Sequence, residues 1–305
     1  MAISAQDVKQ LKELTNCGMM DCKRALEETG GDIDEAIKYL REKGLAKAAK
    51  KAGRIAAEGL VYAEVDEARK KGVIVEINCE TDFAAKSDRF IEFVELVART
   101  VIDNDVADVE ALKETNGYGA NEKIADILTE RISTISENIQ IRRFAKLEGD
   151  GLFSYVHNGG GSIIGTLLKI SADDYGEEVR ACAKNLLLHI TATAPDYIAV
   201  GDIPEEDVNE EKETQLKLIT SENEAKPKPQ NVVAKILEGR MKKFFEERCL
   251  LTQPYVKDDS TTVEKYMQSV GKNIKVVEFR RFEKGEGIAK KADNFADEVA
   301  SMAGL

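Results

Sequence analysis

The sequence predicts an α+β protein, and three patterns carry that prediction. Over the first fifty residues, apolar side chains recur at helical spacing in three short runs. From Gly59 the spacing switches to period two and then returns to helical, and the same strand-then-helix plan starts again near residue 161. All five prolines (Pro195, Pro204, Pro227, Pro229 and Pro254) lie after residue 194, so the two halves are built differently. The expected architecture is an N-terminal three-helix bundle, a duplicated α/β core with antiparallel sheets, a helical-hairpin arm and a C-terminal helix. The expected divisions are 1–54 for the bundle and a basic connector, 55–140 for the N-terminal subdomain of the core, 141–202 plus 246–284 for its C-terminal subdomain, 203–245 for the antiparallel arm, and 285–305 for a C-terminal helical module.

Taken in order, Ser4 can cap a first helix carrying Val8, Leu11 and Leu14. A turn at Asn16, Cys17 and Gly18 leads to a second helix bearing Cys22, Ala25 and Leu26, which Gly30 and Gly31 stop. Asp32 with Glu35 forms a capping-box-like start for a third helix, which buries Ile33, Ala36, Ile37 and Leu40 and ends at Gly44. Three small amphipathic helices can close one compact core. Lys47, Lys50, Lys51 and Arg54, set among alanines, make a basic helical connector. Strands follow at 61–65 and 72–78 with a charged turn between them. Phe90, Phe93, Val94, Val97, Ala98 and Val101 then form one stripe of an amphipathic helix.

Two further helices, at about 106–115 and 120–137, lead into a strand at 139–144. Residues 161–170 read as a strand, and 177–194 as a long helix with Val179, Cys182, Leu186, His189 and Ile190 facing inward. Segments 72–103 and 161–194 therefore form a degenerate duplication, each a strand packed under a long helix. Pro204 opens a strongly polar helix running to about residue 223. Lys226, Pro227, Lys228 and Pro229 break it, and 231–245 makes a second helix with Val232, Val233, Ile236 and Leu237, giving an arm that projects from the body. A strand at 275–282 re-enters a sheet, Gly285 and Gly287 make a hinge, and the tail from about 293 is a helix with Phe295, Val299 and Met302 on one side.

Charge and composition narrow the function. The 305 residues carry 44 basic and 56 acidic side chains, a net charge of −12, which argues against a broad nucleic-acid-binding surface. The excess is uneven: the connector is basic, while acid concentrates between Glu205 and Glu224. No apolar run is long enough to span a membrane. The N-terminus, with Asp7 and Glu13 among its lysines, has neither the apolar centre of a secretory signal nor the pattern of a transit peptide. Cys17, Cys22, Cys79, Cys182 and Cys249 are scattered and odd in number, as expected of small buried hydrophobes in a reducing cytoplasm. The reading is a cytoplasmic chain whose partner is another protein, with no direct nucleic acid and no membrane.

No catalytic constellation emerges. The run His157, Asn158, Gly159, Gly160, Gly161, Ser162 lacks the Gly-Lys-Ser/Thr of a phosphate loop and joins two strands, so it reads as a flexible hairpin. His189, on an apolar helix face, reads as a core histidine with its hydrogen bonds satisfied. With two histidines and no ligand-spaced cysteines, neither a metal nor a cofactor is called for. The informative segment is Thr81, Asp82, Phe83, Ala84, Ala85, Lys86, a loop between a strand and a helix. By pattern alone, Asp82 caps the following helix and Phe83 folds back onto the core. A Phe at a loop tip would otherwise suit a wedge for another protein's pocket. Met19 and Met20 begin a helix together and cannot both face a small core, so at least one is exposed, which suits either an adaptable contact surface or partial burial against the connector.

These residues together resemble the elongation factor Ts family, the guanine-nucleotide exchange factors of bacterial translation. The markers are Thr15 with Asn16, Cys17, Gly18, Met19, Met20, Asp21, Cys22, Lys23, Arg24, Ala25 and Leu26; Gly31, Asp32 and Ile33; the alanine- and lysine-rich connector at 46–53; Asn78 through Cys79, Glu80, Thr81 and Asp82 to Phe83; the segment 238–244; and Gly285, Glu286, Gly287 and Ile288. They span essentially the whole chain. The resemblance implies that the first three helices form a bundle like ubiquitin-associated domains, used to hold a G protein. It implies elongation factor Tu as partner, GDP-bound and nucleotide-free, and an exchange function in which no bond is made or broken. Thr81, Asp82, Phe83 and Ala84 match the segment that dislodges the partner's magnesium, with Phe83 inserting between two helices of the G domain.

Met19, Met20, Lys23, Lys51 and His157 match positions set near a helix bordering the guanine pocket. The half around 161–194 would face a second domain of the partner, and the tail helix would pack on the G domain. Ala84 and Ala85 are smaller than the family's commoner Val followed by Ala, which points to a weaker pocket contact after Phe83. Family members differ in whether the arm mediates a homodimer, and the resemblance leaves that open. The alternative class is a non-catalytic adaptor docking through the bundle, which gives no account of Thr81, Asp82 and Phe83. An enzyme built on Asp82 and Cys79 lacks a second acid or base nearby.

Overall fold

The structure is a computed structural model that describes residues 3–15, 17–223 and 229–289. Its helical start is the bundle α1 (Ala5–Thr15), α2 (Met19–Glu28) and α3 (Ile33–Lys51). Ser4 caps α1 reciprocally with Asp7, and Asp32 caps α3 by accepting from the Glu35 amide at 2.9 Å. Val8, Leu11, Cys22, Ala25, Leu26, Ala36 and Leu40 fill the core. Leu14 is exposed, and Ile33 and Ile37 are half-buried, because so small a core is already full.

Gly44 does not end the third helix. The helix runs on to Lys51, absorbing the connector, since Leu45, Ala46, Lys47 and Ala48 are good helix formers. Gly44 is instead a buried contact with a later helix: a Cβ there would lie 3.4 Å from Thr129 Cγ2.

The body continues as β1 (Glu58–Asp66), β2 (Lys71–Cys79), the single turn α4 (Asp82–Ala85), α5 (Asp88–Asp103), α6 (Val109–Lys113), α7 (Ile124–Ile135) and β3 (Gln140–Glu148). The second half comprises β4 (Leu152–Gly159), β5 (Ser162–Ser171), α8 (Glu177–Thr193), α9 (Glu205–Asn223), α10 (Gln230–Arg248), β6 (Pro254–Tyr255), β7 (Asp258–Thr262), α11 (Val263–Val270) and β8 (Lys275–Glu283). The two main sheets are antiparallel and three-stranded, ordered β1-β2-β3 and β4-β5-β8. β3 pairs with β2 from Gln140 through Glu148, so the first sheet reaches beyond residue 140. Gly160 and Gly161, at φ +63° and +84°, turn the β4–β5 hairpin, as their lack of a Cβ allows. α9 and α10 form the arm. Of the helix break expected at Lys226 to Pro229, residues 226–228 lie outside the described residues, as do the turn residue Asn16 and the tail helix, while Pro229 is the N-cap residue of α10.

Strand alternation explains the layering. On β2, Val73, Val75 and Ile77 point under α5 and α7 into a core with Phe90, Phe93, Val97 and Ile124. On β5, Leu168 and Ile170 point under α8 and α11 with Val179, Leu186 and Val263. The opposite faces meet: Val61, Ile74, Leu147, Leu152, Leu167 and Phe282 pack sheet on sheet. Gly165 permits that approach, because a Cβ there would lie 2.5 Å from Val61 Cγ1. The result is helix, sheet, sheet, helix, with the strand-under-helix unit used twice.

His189 is fully buried. Its Nδ1 accepts from the Val256 amide at 3.2 Å, so its Nε2 carries the proton and donates to Gln253 Oε1 at 2.8 Å. Burial pulls its pKa below the ordinary 6.5. The unfolded chain therefore binds a proton that the folded chain refuses, and stability is lost as pH falls below about 6.5. The urea midpoint is expected to drop more steeply between about pH 7 and about pH 5.5 for the parent chain than for His189→Gln. Equal slopes would contradict this.

The segment at 284–288 is no free hinge. Gly285, at φ +69°, sits so close that a Cβ would lie 2.4 Å from the Ala57 carbonyl oxygen. Its amide donates to Glu76 Oε1 at 2.8 Å. The glycine is there for close approach.

Candidate functional site: an exposed aromatic on a clasped turn

At the end of β2 the chain leaves the sheet and makes one helical turn before α5. Thr81 caps that turn, its Oγ1 accepting from the Ala84 amide at 3.2 Å. Ala84 and Ala85 point down into the first core, only 7% and 4% exposed. Phe83 points the other way and is 82% exposed, the most exposed of the large apolar side chains described. This corrects two expectations. The cap is Thr81 and not Asp82, and Phe83 is not folded back, because the two alanines already occupy the inward positions. Both alanines are packed into this chain's own core, and their small size lets the turn sit close on it. Asp82 is exposed and pairs with Lys86 Nζ at 2.6 Å, which holds its carboxyl below the usual range.

The turn is clasped from outside. Glu137, just beyond α7, accepts from the Glu80 amide at 3.0 Å, the Thr81 amide at 2.9 Å and Thr81 Oγ1 at 2.6 Å. Glu80 returns the contact, accepting from the Asn138 amide at 2.7 Å. The Asn138 side chain in turn donates to the Arg54 carbonyl at 2.7 Å, and Arg54 reaches Glu80 at 3.4 Å. No sequence signal marks Glu137 or Asn138, since they meet residues 80 and 81 across more than fifty positions. Cys79 is buried and donates to the Thr81 carbonyl at 3.1 Å. Burial pushes its pKa up to about 12, so it stays a thiol at neutral pH, without the thiolate a nucleophile needs.

The other expected residues lie on α2, at the end of α3 and on β4. Met19 and Met20, in the first turn of α2, are 56% and 67% exposed. Lys23 is exposed one turn further on, 3.8 Å from Glu27. Asp21 pairs with Lys47 on α3 at 2.9 Å. Lys51 lies one turn beyond Lys47, where burial and neighbouring Arg54 lower its pKa. α3 and its exit touch both regions: Lys47 on α3 holds Asp21 of α2, and Arg54 just beyond α3 reaches Glu80 at the entrance to the Phe83 turn. His157 is exposed on β4, with Nδ1 3.3 Å from the Tyr155 hydroxyl, and no hydrogen bond or ion pair joins it to the others among the described residues.

Among the described residues, no group of three or more His, Cys, Asp or Glu could hold a metal ion, and no helix is long and apolar enough to cross a membrane. What the arrangement offers is an exposed aromatic beside a carboxylate on a hydrogen-bonded turn, suited to entering a cleft of another protein.

Comparison with known proteins places the chain among relatives. A sequence profile of the family described as elongation factor TS matches residues 80–286. Elongation factor Ts of Halothermothrix orenii is 44% identical over 301 residues, covering 98% of each chain. That of Clostridium perfringens strain SM101 is 43% identical over 308 residues, covering 99% of each.

Proposed function

This chain belongs to the elongation factor Ts family, and from that premise we propose that it binds elongation factor Tu in its GDP form, dislodges the bound magnesium and so speeds GDP release. Membership makes it a nucleotide-exchange factor of translation elongation. The finer mechanism is supported most by Phe83, an aromatic held outward on a turn whose own contacts need no partner.

The physical basis is reciprocal coupling. A chain that binds the nucleotide-free or magnesium-free G protein more tightly than the GDP form must weaken GDP binding by the same factor. Magnesium is the main neutraliser of the diphosphate charge, so a wedge that moves its supporting elements weakens the nucleotide's hold. Phe83 supplies the wedge in this reading. Met19, Met20, Lys23, Lys51 and His157 are the further contacts, and Asp82 adds a negative charge next to the inserted ring. The ring alone is apolar enough to remain in a protein cleft once water is expelled.

The test is direct. Purified elongation factor Tu loaded with a fluorescent GDP analogue is mixed with excess unlabelled GDP, with and without this chain. Release is expected to quicken more than about tenfold with the chain present. Release at the unassisted rate would overturn the proposal.

A further inference from the structure

We propose that Glu137 is a positioning residue for exchange, fixing the angle at which Phe83 is presented. The inference rests on the exchange reading above and concerns the same surface.

Four helical residues are far too few to form a stable helix in isolation, so α4 must be held by its surroundings. Ala84 and Ala85 fix its inner side. Its entrance is fixed by Glu137. One carboxylate oxygen takes both backbone amides leading into the turn, at 3.0 and 2.9 Å, and the other takes the Thr81 hydroxyl proton at 2.6 Å. Because that hydroxyl gives its proton to Glu137, its lone pair is left facing the Ala84 amide, the cap that starts the turn. Glu137 therefore sets the Thr81 rotamer, the rotamer sets the cap, and the cap sets where Phe83 points.

The carboxylate is aimed by an uncommon backbone state. Ser136 closes α7 at φ +66°, in the left-handed region, and swings the chain toward residues 80 and 81. The three hydrogen bonds of the carboxylate all go to those two residues among the described residues. Thr81 is exposed, so water can replace Glu137 there while the alanines remain buried. Losing Glu137 should accordingly loosen the turn without unfolding the sheet below it.

A double-mutant cycle on the full chain tests this, reading GDP release from elongation factor Tu at saturating chain. Glu137→Ala is expected to slow assisted release about tenfold, the worth of one charge-assisted hydrogen bond. In a Phe83→Ala background the same change is expected to cost less than about twofold, because nothing is left to position. Glu137→Gln, which keeps an acceptor, should recover part of the rate, and it carries the cycle if Glu137→Ala does not fold. On the free chain, amide hydrogen exchange at Thr81 and Ala84 should quicken in the variant while that at Phe93 holds.

Undiminished release by Glu137→Ala, an equal loss in the Phe83→Ala background, or unchanged exchange at Thr81 and Ala84 would each overturn the positioning role. If the parent chain does not speed release at all, the exchange reading fails first, and visibly so in the control trace.

Discussion

Phe83→Ala is expected to slow assisted GDP release from elongation factor Tu by about tenfold to about a hundredfold, with the unfolding midpoint of the free chain unchanged. The two halves of that expectation have the same origin. At 82% exposure, the ring contributes little to this chain's own packing, and substitution at such a site usually shifts stability by no more than about 0.5 kcal/mol. Burying a phenylalanine is worth about 1.5–3 kcal/mol, so the side chain carries that free energy unspent until a partner covers it. At about 1.4 kcal/mol per decade, the stated range follows. The loss should appear in the plateau rate, because the wedge acts while the nucleotide is being expelled and contributes less to the first encounter. Phe83→Leu should recover part of the rate by keeping apolar bulk. Stopped-flow release of labelled GDP decides the matter, and a variant as fast as the parent would remove Phe83 from the mechanism. A variant with a lowered midpoint would instead show that the ring packs on its own chain in solution.

Much of this fold is visible in the sequence because its periods are long. The α5 stripe from Phe90 to Val101 covers about three turns, and β2 and β5 each lie under a long helix, so the duplication shows as a repeated switch of spacing. The site is harder to read for a definite reason. α4 is one turn long, too short for periodicity to assign faces, so which of Phe83 and Ala84 points inward depends on what already fills the core beneath. Glycines mislead in the same way. Gly44 and Gly285 carry the local signature of a stop and a hinge, yet Gly44 lies inside a continuing helix beside Thr129, and Gly285 is needed for its close approach to the Ala57 carbonyl. The carboxylates that do most to fix geometry, Glu76 and Glu137, look like ordinary surface acids. Apart from Asn78 beside Glu76, their partners lie more than fifty residues away in the chain.

Glu76 yields the largest expected loss of stability. It lies on the inter-sheet face of β2 and has no exposed surface, an unusual place for a carboxylate. It is tolerated because four donors converge on it: Arg142 Nη1 at 2.9 Å, Arg143 Nε at 2.6 Å, the Gly285 amide at 2.8 Å and Asn78 Nδ2 at 3.3 Å. Consecutive residues of a regular strand point to opposite faces, so two neighbouring arginines could not normally share one acid. The ladder between β2 and β3 shifts register between Glu76 and Ile77, and that bulge turns both toward it. Both arginines also reach the segment after β8: Arg142 donates to the Glu286 carbonyl, and Arg143 pairs with the Glu286 carboxylate at 3.0 Å. The cluster thereby ties the first sheet to the end of the second. Glu76→Ala would leave two guanidinium groups facing each other and the Gly285 amide without its acceptor. Breaking a buried ion pair costs about 3–5 kcal/mol. The lower end applies here, because the arginine side chains keep 27% and 30% of their surface and water can take up part of their charge. Glu76→Gln keeps one oxygen for the Gly285 amide and loses the charge, so about half that cost is expected. Urea unfolding separates these outcomes. A midpoint shift at constant m-value means the whole fold is weakened together, whereas a smaller m-value means the sheets have begun to separate first. A midpoint equal to the parent's would show that the cluster adds nothing to the joint between the sheets.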